Sequence, residues 1–184
     1  NMDEIIGEML EDGMKVIAVA KKEMITTGEI TCADENHMIL LGYLTFFDAP
    51  KKSAKEAIKK LRDLEVRTKI LTGDRKDVAL SVCQRVGVNC SRILTGQEIE
   101  NLEESQLQTA VEYGEVFAEL TPNQKVEIIQ VLRENGHTVG FLGDGLNDVP
   151  AICEADVGIS VDTAVDAAKD AADVVLLDKD LNVL

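Results

Sequence analysis

Tryptophan is absent from these 184 residues, and aromatic residues make up only 3% of them. That excludes the aromatic stacking platforms that single-stranded nucleic-acid binders use. Histidine occurs twice, and the four cysteines show no C-x-x-C spacing. A His/Cys zinc site is therefore excluded, and Cys32, Cys83, Cys90 and Cys153 read as reduced core or surface thiols. Long apolar runs are missing too. The longest, Met38 to Phe47, is interrupted by Gly42 and Thr45, whereas a helical membrane span needs roughly 20 apolar residues. No signal-peptide pattern opens the sequence.

Positive charge is also scarce. Lys and Arg number 19 against 34 Asp and Glu, a formal net charge of −15, which argues against a polyanion as partner. The imbalance is uneven. Segment 51–85 is net +6, whereas 1–48 is −7 and 86–184 is −14. A basic stretch in an acidic chain reads as a solvated helix face or as anion recognition. The apolar fraction, 45%, is ample for a packed core, and the length suits one domain with an appendage.

Periodicity divides the chain near Asp48–Pro50. Before that point Met2–Glu11 reads as a short helix, Lys15–Ala20 and Met38–Phe47 as strands, and Thr26-Thr27-Gly28 as a turn. One helix and two or three strands are too little to enclose a core, so residues 1–47 read as part of another domain. After it the rhythm alternates. Ser53 caps a helix with Ala54, Ala57, Ile58, Leu61 and Leu64 on one face. Val66–Leu71 is a strand, and Asp74–Val86 a helix closed by Gly87. A helix lies within Glu103–Tyr113, Val116–Ala118 is a strand, and Thr121-Pro122 opens another helix. Thr138–Leu142, Val157–Ser160 and Val174–Leu177 are short, nearly all-apolar strands of the kind buried on both faces of a parallel sheet. The expected fold is α/β, a doubly wound parallel sheet over 48–184.

Ligands of such sheets bind beyond the carboxyl ends of the strands. Thr72-Gly73-Asp74 follows one strand, and Gly143-Asp144-Gly145-Leu146-Asn147-Asp148 follows another. Lys125 sits one turn into the helix opened by Pro122. Asp144 and Asp148 would crowd two carboxylates, whose repulsion at ~5 Å is roughly 3 kcal/mol for an effective dielectric of about 20. A cation relieves it, and oxygen ligands without His or Cys favour Mg²⁺. Lys125 supplies a point charge for a phosphate, while Thr72, Asn147 and glycine N–H groups supply donors. These are the parts of phosphoryl transfer. A nucleophile is not evident: Asp48 follows a strand, but Ala49-Pro50 after it brings neither acid nor hydroxyl. The nucleophilic carboxylate is expected upstream of Asn1.

With these residues in view, the sequence resembles the C-terminal half of the large cytoplasmic loop of P-type ATPases, in the haloacid dehalogenase superfamily. The hinge motif DPPR/K corresponds to Asp48-Ala49-Pro50-Lys51, with Ala in place of the first Pro. TGD is Thr72-Gly73-Asp74, TPxQK is Thr121-Pro122-Asn123-Gln124-Lys125, and GDGxNDxP is Gly143 to Pro150. The run Ile159–Asp162 (ISVD) and the LLDKDLNVL ending look most like the magnesium-transporting subfamily. Other pumps of the family usually carry Met-Gly where Val161-Asp162 stands.

The resemblance implies a haloacid dehalogenase-like, Rossmann-like phosphorylation domain over 48–184, lacking its nucleophile strand, and the tail of a nucleotide-binding domain over 1–47. It implies Mg²⁺ as cofactor and ATP as substrate, with Asp144 as principal metal ligand and Asp148 beside it. Lys125 would contact an aspartyl phosphate whose Asp lies upstream, and Thr72, Gly73 and Asn147 the phosphoryl oxygens. Asp74 would bear on the nucleotide or the hinge, and Lys15 would touch ATP phosphate. Relatives often carry a base after Phe117-Ala118, where Glu119 reverses the charge. The parent would be a membrane-embedded cation transporter, this piece lying at the cytoplasmic face and hydrolysing nothing alone. Its partners would be the upstream segments and the membrane domain. Two other readings stand beside this one: a complete soluble phosphatase using Asp48, and a non-catalytic phospho-regulatory module.

Overall fold

A computed structural model gives the conformation of residues 6, 7, 9, 14–23, 31–46, 53–88, 90–178 and 180–184. Contacts divide the chain into two units, Asn1–Asp48 and Ala49–Leu184. The first holds helical residues 6, 7 and 9 and an antiparallel hairpin of β1 (Lys15–Lys21) and β2 (Ile39–Phe46), joined through a 3₁₀ turn at Cys32–Asp34. The remainder of Met2–Glu11 and the turn at Thr26–Gly28 lie outside the described residues, as does the Asp48–Lys51 hinge segment.

The second unit alternates strand and helix. It runs α1 (Ala54–Asp63), β3 (Ile70–Leu71), α2 (Lys76–Val86), β4 (Ile93–Thr95), α3 (Gly96–Glu100), α4 (Glu104–Tyr113), β5 (Val116–Ala118) and α5 (Pro122–Glu134). Then follow β6 (Gly140–Leu142), a 3₁₀ turn at Leu146–Asp148, α6 (Val149–Glu154), β7 (Val157–Val161), α7 (Asp166–Ala171) and β8 (Val174–Leu176). Among the described residues of this unit all strand pairs are parallel, in two three-stranded sheets ordered β3-β5-β4 and β6-β7-β8.

The first of these sheets is covered on both faces, which makes β5 wholly buried. Phe117 points into a cluster with Val111, Ile128 and Leu132 of α4 and α5. Val116 and Ala118 point the other way, into a cluster with Ala54, Ala79 and Cys83 of α1 and α2. Alternation along a strand sends successive residues to opposite faces, so a three-residue apolar strand serves two cores. Burial in the second cluster pushes the Cys83 thiol up to about 12, so it behaves as a small apolar filler.

The structure corrects several expectations. The strand expected over Val66–Leu71 is only two residues long, because Val66 to Lys69 lie before the β5 ladder begins at Val116. Leu64 does not join the buried face of α1; it follows the helix and is 74% exposed. Ser53 occupies the N-cap of α1 without capping it; its Oγ accepts the Leu181 N–H instead. The helix expected from Asp74 starts at Lys76. The late strands are not buried on both faces throughout: Leu142 of the edge strand β6, Val174 of the edge strand β8 and Val157 at the start of the central strand β7 are all exposed.

Candidate phosphoryl-transfer site

The carboxyl ends of β3, β5 and β6 carry the candidate chemistry in three loops. The first loop leaves β3 with Thr72, whose N–H donates to the Phe117 carbonyl at 2.9 Å and so extends the β3–β5 pairing by a residue. Its hydroxyl accepts the Asp74 N–H at 3.0 Å, closing a tight turn. Gly73 lies beside the Leu120 carbonyl, where a Cβ would come within 3.3 Å.

The second loop follows β5 and opens α5. Thr121 and Gln124 form a reciprocal capping box, the Thr121 N–H donating to Gln124 Oε1 and the Gln124 N–H to Thr121 Oγ1, with Pro122 in the first turn. Such a box fixes the entry of the chain. It aims Lys125, one turn in, towards the third loop. Gln124 Nε2 also donates to the Gly96 carbonyl and to Glu100, which ties β4's exit to the same place.

The third loop leaves β6. Gly143 donates its N–H to the Ile159 carbonyl at 3.1 Å and accepts the buried Ser160 hydroxyl at 2.9 Å. A Cβ on Gly143 would meet the Cβ of Asp148 at 2.5 Å, so only glycine lets the loop fold back this tightly. The fold-back brings Asp148 to Lys125. Their ion pair spans 2.7 Å, with side chains 10% and 16% exposed. The other Asp148 oxygen accepts the Gly145 N–H at 3.3 Å. Asp144 and Asn147 are exposed on the same loop, and the Asp144 carbonyl accepts the Val165 N–H.

Lys125, Asp144, Asn147 and Asp148 thus belong to one loop system, and hydrogen bonds from Glu119 and Leu120 to the carbonyls of Asp74 and Thr72 join the first loop to the second. Lys15 belongs to the first unit, where its backbone pairs with Phe46. Asp48 lies outside the described residues. Among the described residues, no group of three His, Cys, Asp or Glu side chains gathers to hold a metal. One exposed and one ion-paired carboxylate still suit Mg²⁺, which takes one or two carboxylates and completes its octahedron with water and phosphate oxygens.

The segment that carries these loops matches a family profile. Residues 11–156 match that of the haloacid dehalogenase-like hydrolases. The chain belongs to that family. Within it, this haloacid dehalogenase-like chain is 48% identical over 175 residues to "Magnesium-transporting ATPase, P-type 1" of Salmonella typhimurium strain LT2, covering 94% of this chain and 19% of that protein. It is 45% identical over 173 residues to the protein of the same name from Escherichia coli K12, with the same coverage. "Calcium-transporting ATPase 1" of Bacillus cereus is 33% identical over 173 residues, covering 92% of this chain and 20% of its own length. The chain therefore spans about a fifth of the length of these P-type ATPases, to which it is homologous. Among the described residues no helix is long and apolar enough to cross a membrane.

Sequence reading assigned no role in this site to Gln124 or Ser160, and read Glu119 only as a reversal of charge. Gln124 is buried and central, and the T-x-x-Q spacing of a capping box announced it. Ser160 is the one polar residue in an otherwise apolar strand, and its partner is the Gly143 carbonyl. Glu119 is bonded to the first loop, and nothing in the sequence signalled that.

Proposed function

We propose that this domain is the phosphoryl-transfer half of an ATP-driven cation transporter, with Mg²⁺ as the transported ion. Phosphoryl transfer would pass through an aspartyl phosphate on a carboxylate donated by an upstream segment. The observation that carries the reading is the 2.7 Å contact between Lys125 and Asp148. It joins two loops separated by some twenty residues of helix and strand, at the end of the sheet where α/β ligands sit. In this reading Lys125 neutralises the phosphoryl group, while Thr72, Gly73 and Asn147 donate to its oxygens. Asp144, with Asp148 beside it, would hold a Mg²⁺ that screens the phosphoryl charge. Asp74 bears on the nucleotide or the hinge. Residues 1–47 belong to the nucleotide-binding part, and Lys15 meets ATP phosphate there. In the same reading the parent sits in a membrane with this domain on the cytoplasmic side.

The two sheets support an upstream nucleophile. Leu71 of β3 and Val139, just before β6, pack on the same helical cluster, yet β3 and β6 are each the edge of a separate sheet. A further parallel strand between those edges would deliver its carboxyl end beside Thr72 and Gly143. The test is to fuse the upstream segment of the parent gene to this chain and incubate with Mg²⁺ and ATP. A hydroxylamine-labile acyl phosphate is expected, lost in Lys125→Ala and Asp144→Asn. Robust ATP hydrolysis by the 184-residue chain alone would overturn the reading.

A further inference from the structure

Glu119 sits at this end of the sheet with no task in the scheme above. It follows β5 directly and holds its backbone in the left-handed region at φ +57°. A non-glycine residue there is sterically disfavoured, and such outliers persist where the surroundings fix them, often at functional sites. Hydrogen bonds fix this one. Its N–H donates to the Asp74 carbonyl at 2.9 Å, and the next N–H, of Leu120, donates to the Thr72 carbonyl at 3.0 Å. Its side-chain Oε1 accepts the Lys76 N–H at 3.1 Å.

The side-chain bond has a specific use. At the start of helix α2 Arg75 occupies the N-cap position and makes no capping bond; within the first turn Asp77 Oδ1 takes the Val78 N–H, and the Lys76 N–H is met from outside the helix. Unpaired first-turn N–H groups need a partner, and a carboxylate also suits the positive end of the helix dipole. Glu119 supplies both from the neighbouring strand's exit. One residue thus grips the Thr72-Gly73-Asp74 turn by its backbone and the helix that follows the turn by its carboxylate.

We infer that Glu119 is a positioning residue for the phosphoryl-binding turn at Thr72–Asp74, an inference that rests on the function proposed above. Its negative charge is spent on the helix start rather than presented to an anionic substrate. The alternative roles predict different signs. A bare repulsive charge would weaken phosphate binding in the wild type, and its removal would strengthen it. A positioning role predicts the reverse.

The experiment uses the 184-residue chain, Glu119→Gly and Glu119→Gln. Glycine accepts the left-handed backbone but removes the cap; glutamine keeps the acceptor without the charge. Amide exchange at Lys76 and NMR titration with inorganic phosphate in the presence of Mg²⁺ are read together. Glu119→Gly should speed Lys76 exchange about fivefold, the size of a typical lost cap, and weaken phosphate binding by about threefold or more on the same reasoning. Glu119→Gln should leave both near the wild-type values. Tighter phosphate binding in both variants would overturn the inference, as would faster Lys76 exchange with unchanged phosphate affinity. A wild-type chain that binds no phosphate while the Lys76 effect persists would overturn the proposed function and reduce Glu119 to a helix cap.

Discussion

Lys125 and Asp148 hold each other in a setting where neither has much water to fall back on. A pair this enclosed is costly to break by halves, because the surviving charge stays desolvated; typical penalties are about 3–5 kcal/mol. Lys125→Met should therefore destabilise the chain by about 3 kcal/mol, read from urea unfolding. Asp148→Asn added to Lys125→Met should recover most of that loss, since no charge is then stranded. Equal midpoints for Lys125→Met and the wild type would show that the pair is not the constraint it looks like. The same substitution frees an Asp148 oxygen, so Mg²⁺ should bind more tightly to Lys125→Met than to the wild type. At this scale the sequence was informative about identities and poor about partners. Glycine next to aspartate at a strand end marked Gly143 and Asp144, but it could not show that Asp148 turns back to a lysine 23 residues earlier. The helix expected from Asp74 starts two residues later; the Asp74 carbonyl accepts the Glu119 N–H, and the Lys76 N–H goes to the Glu119 carboxylate.

Glu112 does for three elements what Lys125 does for two loops. Near the C-terminal end of α4 it accepts from His137 after α5, from Arg67 before β3 and from Asn135 at the end of α5. Lys69 adds a bond to the Glu112 carbonyl. The hydrogen bond from His137, then that from Arg67, hold the Glu112 carboxyl at about 2, down from an ordinary 4.5. A depressed carboxyl favours folding at pH values above its unfolded pKa, and that contribution is lost as pH falls from about 4.5 to about 2. Glu112→Gln should accordingly be less stable than the wild type at pH 7 and approach it near pH 3, measured as urea midpoints. A constant gap between the two proteins across that range would remove the linkage. Elements of this size were legible where chemistry marked their ends. The Thr121-Pro122 start of α5 and the Gly87 stop of α2, at φ +76°, followed from capping rules. Strand β4 and helix α3 escaped notice although Thr95 and Glu98 form a capping box, because three and five residues are too few for periodicity to register. Helices α6 and α7, six residues each, escaped for the same reason. β3 was overestimated because β-branched composition cannot reveal where a neighbouring strand begins.

Among the described residues, both units expose apolar side chains. In the hairpin, Ile17 faces Leu44 across the ladder and both are exposed, as are Ile39 and Leu41. A two-stranded hairpin is marginal by itself, and one apolar on both faces is built to be covered. In the second unit, β3 and β6 each end a three-stranded sheet, and Leu142 and Leu146 beside the β6 edge are exposed. Pattern reading anticipated one doubly wound sheet; what it could not supply is the pairing order, since parallel neighbours are set by packing among distant segments. Unpaired edges and apolar faces recruit further chain, so the isolated polypeptide should self-associate. Its net charge of −15 opposes that contact, and salt shortens the reach of the repulsion to about 8 Å at physiological ionic strength. Association should therefore strengthen as salt is added, the opposite of an assembly held by ion pairs. Light scattering over a range of concentration and salt distinguishes the two, and a monomer that persists at high concentration and high salt would mean that these edges and faces are protected within the chain itself.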